Sequence, residues 1–474
     1  MAIQHVFSIF RLQPAAGTLV QQLVDAISRA AQEGQLSAGE RLWSIRQLSR
    51  ELGISTFTVA EAYDRLVATG IISARRGEGF YLAGSGQGRP ELDSLPPLPA
   101  HAFWLADSLY EPPPDAIKPG SGWLPPAWFA DMGLERGLRQ VARSTSGGEL
   151  AGYGEPGGLP ALRDYLVREL GEAGLPLSRQ QLVLTQGASQ ALTLALACLT
   201  RPGDCVLVDD PGYCNLVIGL PLHGIQPLGV PWTPQGPDLV ALEALLEQHR
   251  PKVFFTNPRL HNPTGASYSA ATAHRVLQLA EKYDFWIVED DVCAGLSASS
   301  VPSLAALDGL RRVVHVGSFS KTLSPGLRVG FVAAERGVAE ALIHHKMVYG
   351  LTSSELAERV ALAALSDGQQ RRRIARLRAR LAEARAQTLS LCARQGLDVF
   401  AAGSEGMFVW ARLPQGCDGV ALSAEGVKEG VMLAPGALFR PGQQASDYLR
   451  LNVAYSAEAR VEVFLAQHLG GLQG

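Results

Sequence analysis

Ser318, Ser320 and Lys321, with Arg328 seven residues beyond the lysine, are the residues of this chain whose types and spacing best suit chemistry. A lysine amine condenses with an aldehyde when it is held at a site where it can lose its proton. Hydroxyls and a guanidinium beside it suit a phosphate, which arginine grips through paired, charge-assisted hydrogen bonds. A ligand carrying both groups is pyridoxal 5′-phosphate (PLP). The stretch lies between two β-rich runs, residues 313–317 and 329–333. By itself, S-x-S-K also fits a lysine in a polar surface loop, so the elements that must position it decide.

The chain has 474 residues, too many for one core, so two or three domains are expected. With 47% hydrophobic and 18% charged residues it has the balance of a soluble protein, and it holds no apolar run long enough to span a bilayer. Residues 1–11 lack the basic start, apolar core and cleavage site of a signal peptide. The six cysteines are scattered without C-x-x-C spacing, which argues against a zinc site or a disulfide framework. A cytoplasmic location follows as an expectation. A net charge of −3 gives no overall attraction to nucleic acid, so any DNA contact has to come from a local basic patch.

Leu19, Val20, Leu23, Val24 and Ile27 follow helical spacing. A second helix is expected after Ser44 as N-cap, ending at Gly53, and a third after Ser55. The tight turn 52–55 between them has the length of a helix-turn-helix. Residues 71–82 then read as strand, basic turn and strand, a β-hairpin wing. With Gly34–Leu42 as G-x-L-x-x-G-x-x-L and Glu61–Leu66 as E-A-Y-x-x-L, the segment resembles the winged helix of GntR-type regulators. That resemblance implies a third helix in the major groove of double-stranded DNA. Contacts to the operator would come from Ser44, Arg46, Ser55, Thr56, Thr58, Tyr63, Arg75, Arg76 and Gly77. Two departures stand out: Trp43-Ser44-Ile45-Arg46 replaces Pro-Ser-x-Arg, and Ser55-Thr56-Phe57-Thr58 replaces Ser-Arg-x-Thr. The missing arginine removes a favoured phosphate or guanine contact.

Residues 13–82 are thus expected to form the DNA-binding head and 83–114, rich in Gly, Ser and Pro, a linker. From 115 to 474 an α/β domain is expected, its large part ending near 364 and a small α+β part following. Apolar runs at 182–185, 205–208, 252–256, 286–290 and 313–316 alternate with helical patterns, as in a mostly parallel sheet covered on both faces. Ligands of such sheets bind beyond the strand C-termini. There stand Gly187, Ala188 and Ser189, at a turn opening a helix whose N–H groups suit a phosphate. Tyr213 could stack on a ring, Asn262 could bond a ring oxygen, and Asp290 could keep a pyridine nitrogen protonated. Glu289-Asp290-Asp291 could instead bind a metal, but no histidine or further carboxylate is near in sequence, so none is expected. A basic run, residues 371–381, keeps Ile374, Leu377 and Leu381 on one face of a helix. Residues 407–410 and 431–434 read as strands.

In order, Tyr153, Gly187-Ala188-Ser189, Tyr213, Asn262-Pro263-Thr264-Gly265, Asp290, Ser318-x-Ser320-Lys321, Arg328 and Arg450 resemble the fold-type I aminotransferases from about residue 120 onward. With the winged helix in front, the whole chain is similar to MocR-type regulators. The resemblance implies that Lys321 forms a Schiff base with PLP, that Asp290 pairs with the pyridine nitrogen, and that Asn262 bonds the ring oxygen. Tyr213 would stack on the ring. Ala188, Ser189, Ser318, Ser320 and Arg328 would hold the phosphate, with Tyr153 reaching in from a second subunit of a homodimer. Arg450 would clamp the carboxylate of an amino effector. Where the family has a tyrosine two or three residues after the aspartate, this chain has Val292 and Cys293. Losing that phenol favours sensing PLP or an amino compound over efficient turnover. An active aminotransferase with an auxiliary head is the alternative, and a PLP-storage protein without DNA binding a third.

Overall fold

Two serines and one glycine set the head's helix boundaries. Helix α1 spans Leu19–Gln32, α2 Ile45–Leu52 and α3 Thr56–Ala68. Ser44 Oγ accepts from Gln47 N–H (3.2 Å) and Ser55 Oγ from Thr58 N–H (3.0 Å). Each such cap is worth about 1 kcal/mol. Gly53 closes α2 at φ 66°, a left-handed conformation that a residue with a Cβ adopts only at a cost. Strands β1 (Ile72–Arg75) and β2 (Gly79–Leu82) pair antiparallel, Ile72 opposite Leu82. Leu23, Ile27, Leu48, Val59, Leu66 and Ile72 form the core between them. The computed structural model describes residues 9–10, 18–32, 35–37, 39–75, 79–82, 113–298 and 301–469. Gly34, Arg76, Gly77 and residues 83–112 of the expected linker 83–114 lie outside them.

Tyr63 corrects one expectation. It is fully buried, its hydroxyl donates to Trp43 O (2.9 Å), and its ring meets Phe80 edge-on at 4.7 Å. The phenol is satisfied inside the head and belongs to its core rather than to a DNA-facing surface.

The chain divides into two contact-dense units between Pro97 and Leu98. The second holds an eight-stranded sheet: β3 (Leu182–Thr185), β4 (Cys205–Asp210), β5 (Gln226–Thr233), β6 (Gly236–Pro237), β7 (Val253–Thr256), β8 (Trp286–Asp290), β9 (Val313–Ser318) and β10 (Gly330–Ala333). Their spatial order is β3-β10-β9-β8-β7-β4-β5-β6. Neighbours from β9 through β5 are parallel, while β10 runs antiparallel to both β9 and β3. Each face packs its own apolar cluster, as the unbroken hydrophobic runs require. β5 has no counterpart among the expected strands. Pro227, Gly229 and Pro231 lower its strand propensity, and its place next to the short edge strand β6 tolerates them.

Helix Gln370–Arg394 leads into a four-stranded sheet of β11 (Asp398–Val399), β12 (Phe408–Arg412), β13 (Ala434–Pro435) and β14 (Tyr448–Asn452), ordered β11-β12-β14-β13. Of the run 431–434, only Ala434 enters a strand. Val431 makes an isolated parallel bridge to Ile117 instead. Trp410, Met432, Leu438 and Phe439 pack this sheet against Cys214 and Tyr213, next to the ends of the large sheet's strands. Among the described residues no helix is long and apolar enough to cross a membrane.

Candidate functional site

The parallel register brings the C-terminal ends of β3, β4, β7, β8 and β9 to one edge: Thr185, Asp210, Thr256, Asp290 and Ser318. Because Gly330 pairs with both Ser318 and Thr185, Arg328 emerges at the same edge. Residues far apart in sequence therefore meet there.

Ser318 Oγ lies 3.0 Å from Ser320 Oγ and accepts from Ser320 N–H at 3.1 Å. Arg328 Nη1 reaches Ser320 Oγ at 3.5 Å and Nη2 reaches Gln186 O at 3.3 Å, leaving much of the guanidinium exposed. Helix Gly187–Leu199 starts beside them and turns the free N–H groups of its first turn, at Gly187, Ala188 and Ser189, toward this corner. Gly187 has φ 79°, and a Cβ on it would lie 2.5 Å from Arg328 Nη2. Gly187→Ala is therefore expected to push Arg328 aside and to cost about 1–2 kcal/mol in the left-handed region. Cofactor affinity, measured by fluorescence titration, should fall roughly tenfold; unchanged affinity would deny this corner a phosphate.

Lys321 Nζ donates to Gly122 O at 2.6 Å. Burial lowers the pKa of its amine, and the positive charges of Arg450 and Arg328 act the same way against Cys293 and Asp290. The neutral amine that attacks an aldehyde is thereby made more accessible. Asp290 is buried at the end of β8, and burial raises its carboxyl to about 7, with Asp291 and Asp209 adding to the shift. A carboxyl that keeps its proton to near neutrality can share it with a basic ring nitrogen and remain as that nitrogen's ion-pair partner. Tyr213 and Asp290 line one narrow cleft with Asn257, Leu216 and Val288.

Asn262 Oδ1 accepts from Arg450 Nη1 at 2.9 Å, which leaves its Nδ2 as the atom able to donate to a ring oxygen. Arg450 is 2% exposed. Its Nη2 donates to Gly120 O (2.6 Å), and the rings of Phe408 and Phe439 lie 4.8 and 4.7 Å from its Cζ. A carboxylate reaching it would share a guanidinium already committed on two sides. Tyr153 is 83% exposed. In the head, Ser44, Arg46, Ser55 and Thr56 are exposed and Thr58 is half-buried.

Several positioning residues escaped the sequence reading. Asn257 Oδ1 accepts from Asn262 N–H (2.7 Å), its Nδ2 donates to Asp290 O, and its own N–H donates to buried Asp209 (2.9 Å). One amide thus ties together two residues of the ligand edge. Lys346, 1% exposed, donates from Nζ to Leu184 O and Pro156 O, both at 2.8 Å, fastening β3 to the loop after Tyr153. Cys293 is buried, and burial pushes its thiol up to about 12.

The carboxylates beside Asp290 do find a histidine, through strand register. Glu289 pairs with His315 across β8 and β9, with His315 Nδ1 at 3.1 Å and Nε2 3.8 Å from Asp291. Burial opposes protonation of His315, but Glu289 and Asp291 outweigh it and raise its pKa. Arg259 Nε donates to Asp291 (2.9 Å), while Leu304 and Ala305 N–H groups donate to Glu289 (2.8 and 3.0 Å). These donors and acceptors serve each other, as a buried charge network bracing the end of β8.

The lysine, the carboxyl and the hydroxyl–guanidinium corner fit the amine, ring-nitrogen and phosphate demands of PLP. Residues 130–467 match the family described as "Aminotransferase class I and II", and residues 19–82 match "Bacterial regulatory proteins, gntR family". The HTH-type transcriptional regulator YdcR of Escherichia coli is 28% identical over 94% of this chain and 97% of its own length. The HTH-type transcriptional regulator TauR of Rhodobacter capsulatus is 29% identical over 95% and 96%. Among solved structures, LysN, the α-aminoadipate aminotransferase of Thermus thermophilus complexed with N-(5′-phosphopyridoxyl)-L-leucine, superposes with a TM-score of 0.69 at 28% identity, over 75% of this chain and 92% of its own. The chain belongs to the class I and II aminotransferase family and carries in front of that domain a GntR-family helix-turn-helix, the MocR-type architecture.

Proposed function

We propose that this protein is a PLP-binding transcriptional regulator of the cytoplasm, its winged head reading a promoter and its aminotransferase-like domain sensing PLP or an amino compound. The observation that carries the reading is the presence, in one chain, of a capped helix-turn-helix and an assembled lysine–carboxyl–phosphate corner. Relatives named as HTH-type transcriptional regulators match this chain over nearly its whole length and theirs. The cofactor, when bound, supplies an aldehyde for amines and an electron-withdrawing ring. Lys321 offers the amine and Asp290 holds a proton at the ring nitrogen. Asn262 Nδ2 donates to the ring oxygen, Tyr213 flanks the ring, and Ser318, Ser320, Arg328 and the helix start at Gly187 take the phosphate. Arg450 meets an effector carboxylate. Cys293, protonated at neutral pH, cannot replace a phenol as a strong hydrogen-bond donor, which favours sensing over turnover.

A homodimer completes the site. Leu150, Tyr153, Val348 (85%), Tyr349 (60%), Leu351 and Leu356 are exposed, and Arg359 pairs with Glu149 at 3.2 Å, which sets the helix Glu355–Leu365 beside the segment before Tyr153. Exposed apolar side chains at these positions suit an interface, and a second copy would supply Tyr153 to the phosphate corner. Val348→Glu combined with Tyr349→Glu should shift the molar mass seen by light scattering from dimer to monomer and weaken cofactor retention. A dimer undisturbed by both charges would place the interface elsewhere.

Transaminase activity is the second reading, favoured by the completeness of the lysine site and by the likeness to LysN. Single-turnover assays across many amino acids separate the two: slow or absent transfer fits a sensor, whereas brisk multiple turnover reverses the ranking.

A further inference from the structure

Phe57 stands in the first turn of α3 with 75% of its surface exposed, against 39% for Leu19 and 38% for Val67, the other exposed large apolar side chains among the head's described residues. A phenyl ring left in water forgoes the burial that drives folding, so its use lies outside the head's own core. The polar side chains around it are poorly placed to replace it. Thr58 Oγ1 is bonded to Ser55 Oγ at 2.9 Å, and Arg65, two turns on, is tied to Glu61 at 2.7 Å. Glu61 and Asp64 add negative charge along the helix. Exposed arginines that suit phosphates, Arg46 and Arg50, stand on α2 instead.

In a helix-turn-helix the N-terminal residues of the second helix reach base edges in the major groove, where thymine alone among the four bases presents a methyl group. We propose that Phe57 reads the thymine 5-methyl group, so that an apolar contact sets operator specificity where a guanine-directed arginine is missing. This rests on the DNA-binding reading above.

The test titrates the full-length protein, at one low salt concentration, with the intergenic duplex beside its own gene made with thymidine or with deoxyuridine, and with a scrambled duplex. Uracil keeps every hydrogen-bonding group of thymine and loses only the methyl. Wild-type affinity should drop about fourfold for each methyl contacted, the worth of one buried methylene-sized group. Phe57→Ala should bind the thymine duplex more weakly and no longer distinguish the two, while Phe57→Leu keeps part of the preference. Binding to the scrambled duplex should not change in either variant. Equal wild-type affinity for both duplexes overturns the role of Phe57 and leaves DNA binding intact. So does a uracil effect that persists in Phe57→Ala, which assigns the methyl to another residue. Retention of no duplex, scrambled included, overturns both readings.

Discussion

Lys321→Ala should leave nothing for borohydride to trap. Wild-type protein loaded with PLP and reduced is expected to gain one pyridoxyl phosphate, on the peptide that holds Lys321. The variant should gain none and should lose the visible absorbance of the bound cofactor. The cause is local. Lys321 alone among the lysines of the described residues stands at the strand ends beside both Asp290 and Arg328, with burial and two arginines lowering its pKa. Lys346, 1% exposed, has its amine engaged by two carbonyls at 2.8 Å. The substitution also leaves Gly122 O without its 2.6 Å partner, a loss of about 1 kcal/mol. That is small enough for the fold to survive, so the comparison stays meaningful. Trapping on another lysine of the variant would overturn the assignment.

Asp290→Asn should act in opposite directions on the loaded and empty proteins. With PLP present, the amide keeps the shape but loses the charge facing the ring nitrogen. Truncating one member of a buried charge pair costs about 2–5 kcal/mol, so cofactor retention should fall by roughly 30-fold or more. In the empty protein the change should stabilise at high pH. The folded carboxyl titrates at about 7, whereas an unfolded one titrates near 4. Between those values the unfolded chain has released a proton that the folded protein still holds, so stability falls as pH rises from about 4 through about 7. The asparagine variant lacks this slope. Melting temperatures of both empty proteins across that range check it, and parallel curves would show that Asp290 is ionised in the empty site.

The site was legible where chemistry and short-range geometry coincide. Ser318, Ser320, Lys321 and Arg328 lie within one turn between two strands, and Asp290 ends an apolar run, so their places follow from local pattern. Ser44, Gly53 and Ser55 marked the head's helices for the same reason, because caps are local. What escaped depends on register between distant segments. His315 meets Glu289 only through the pairing of β8 with β9, and Asn257 ties Asn262 to Asp290 across a loop and a strand. A histidine inside an otherwise apolar strand was the signal for the first, and an asparagine opening the loop after β7 the signal for the second. Tyr63 was misplaced because its helical face is shared by core and surface positions. Only the contacts with Trp43 and Phe80 decide between them.

The regulator reading stands on one coupling: what sits at Lys321 must change what the head holds. Footprinting of the intergenic DNA beside the gene, with cofactor-free protein and with protein loaded with PLP, tests it directly. A protected site whose affinity or extent differs between the two forms is the expected result, with the difference abolished in Lys321→Ala. Identical footprints for both forms, or no footprint at low salt beside brisk amino-group transfer, would contradict it.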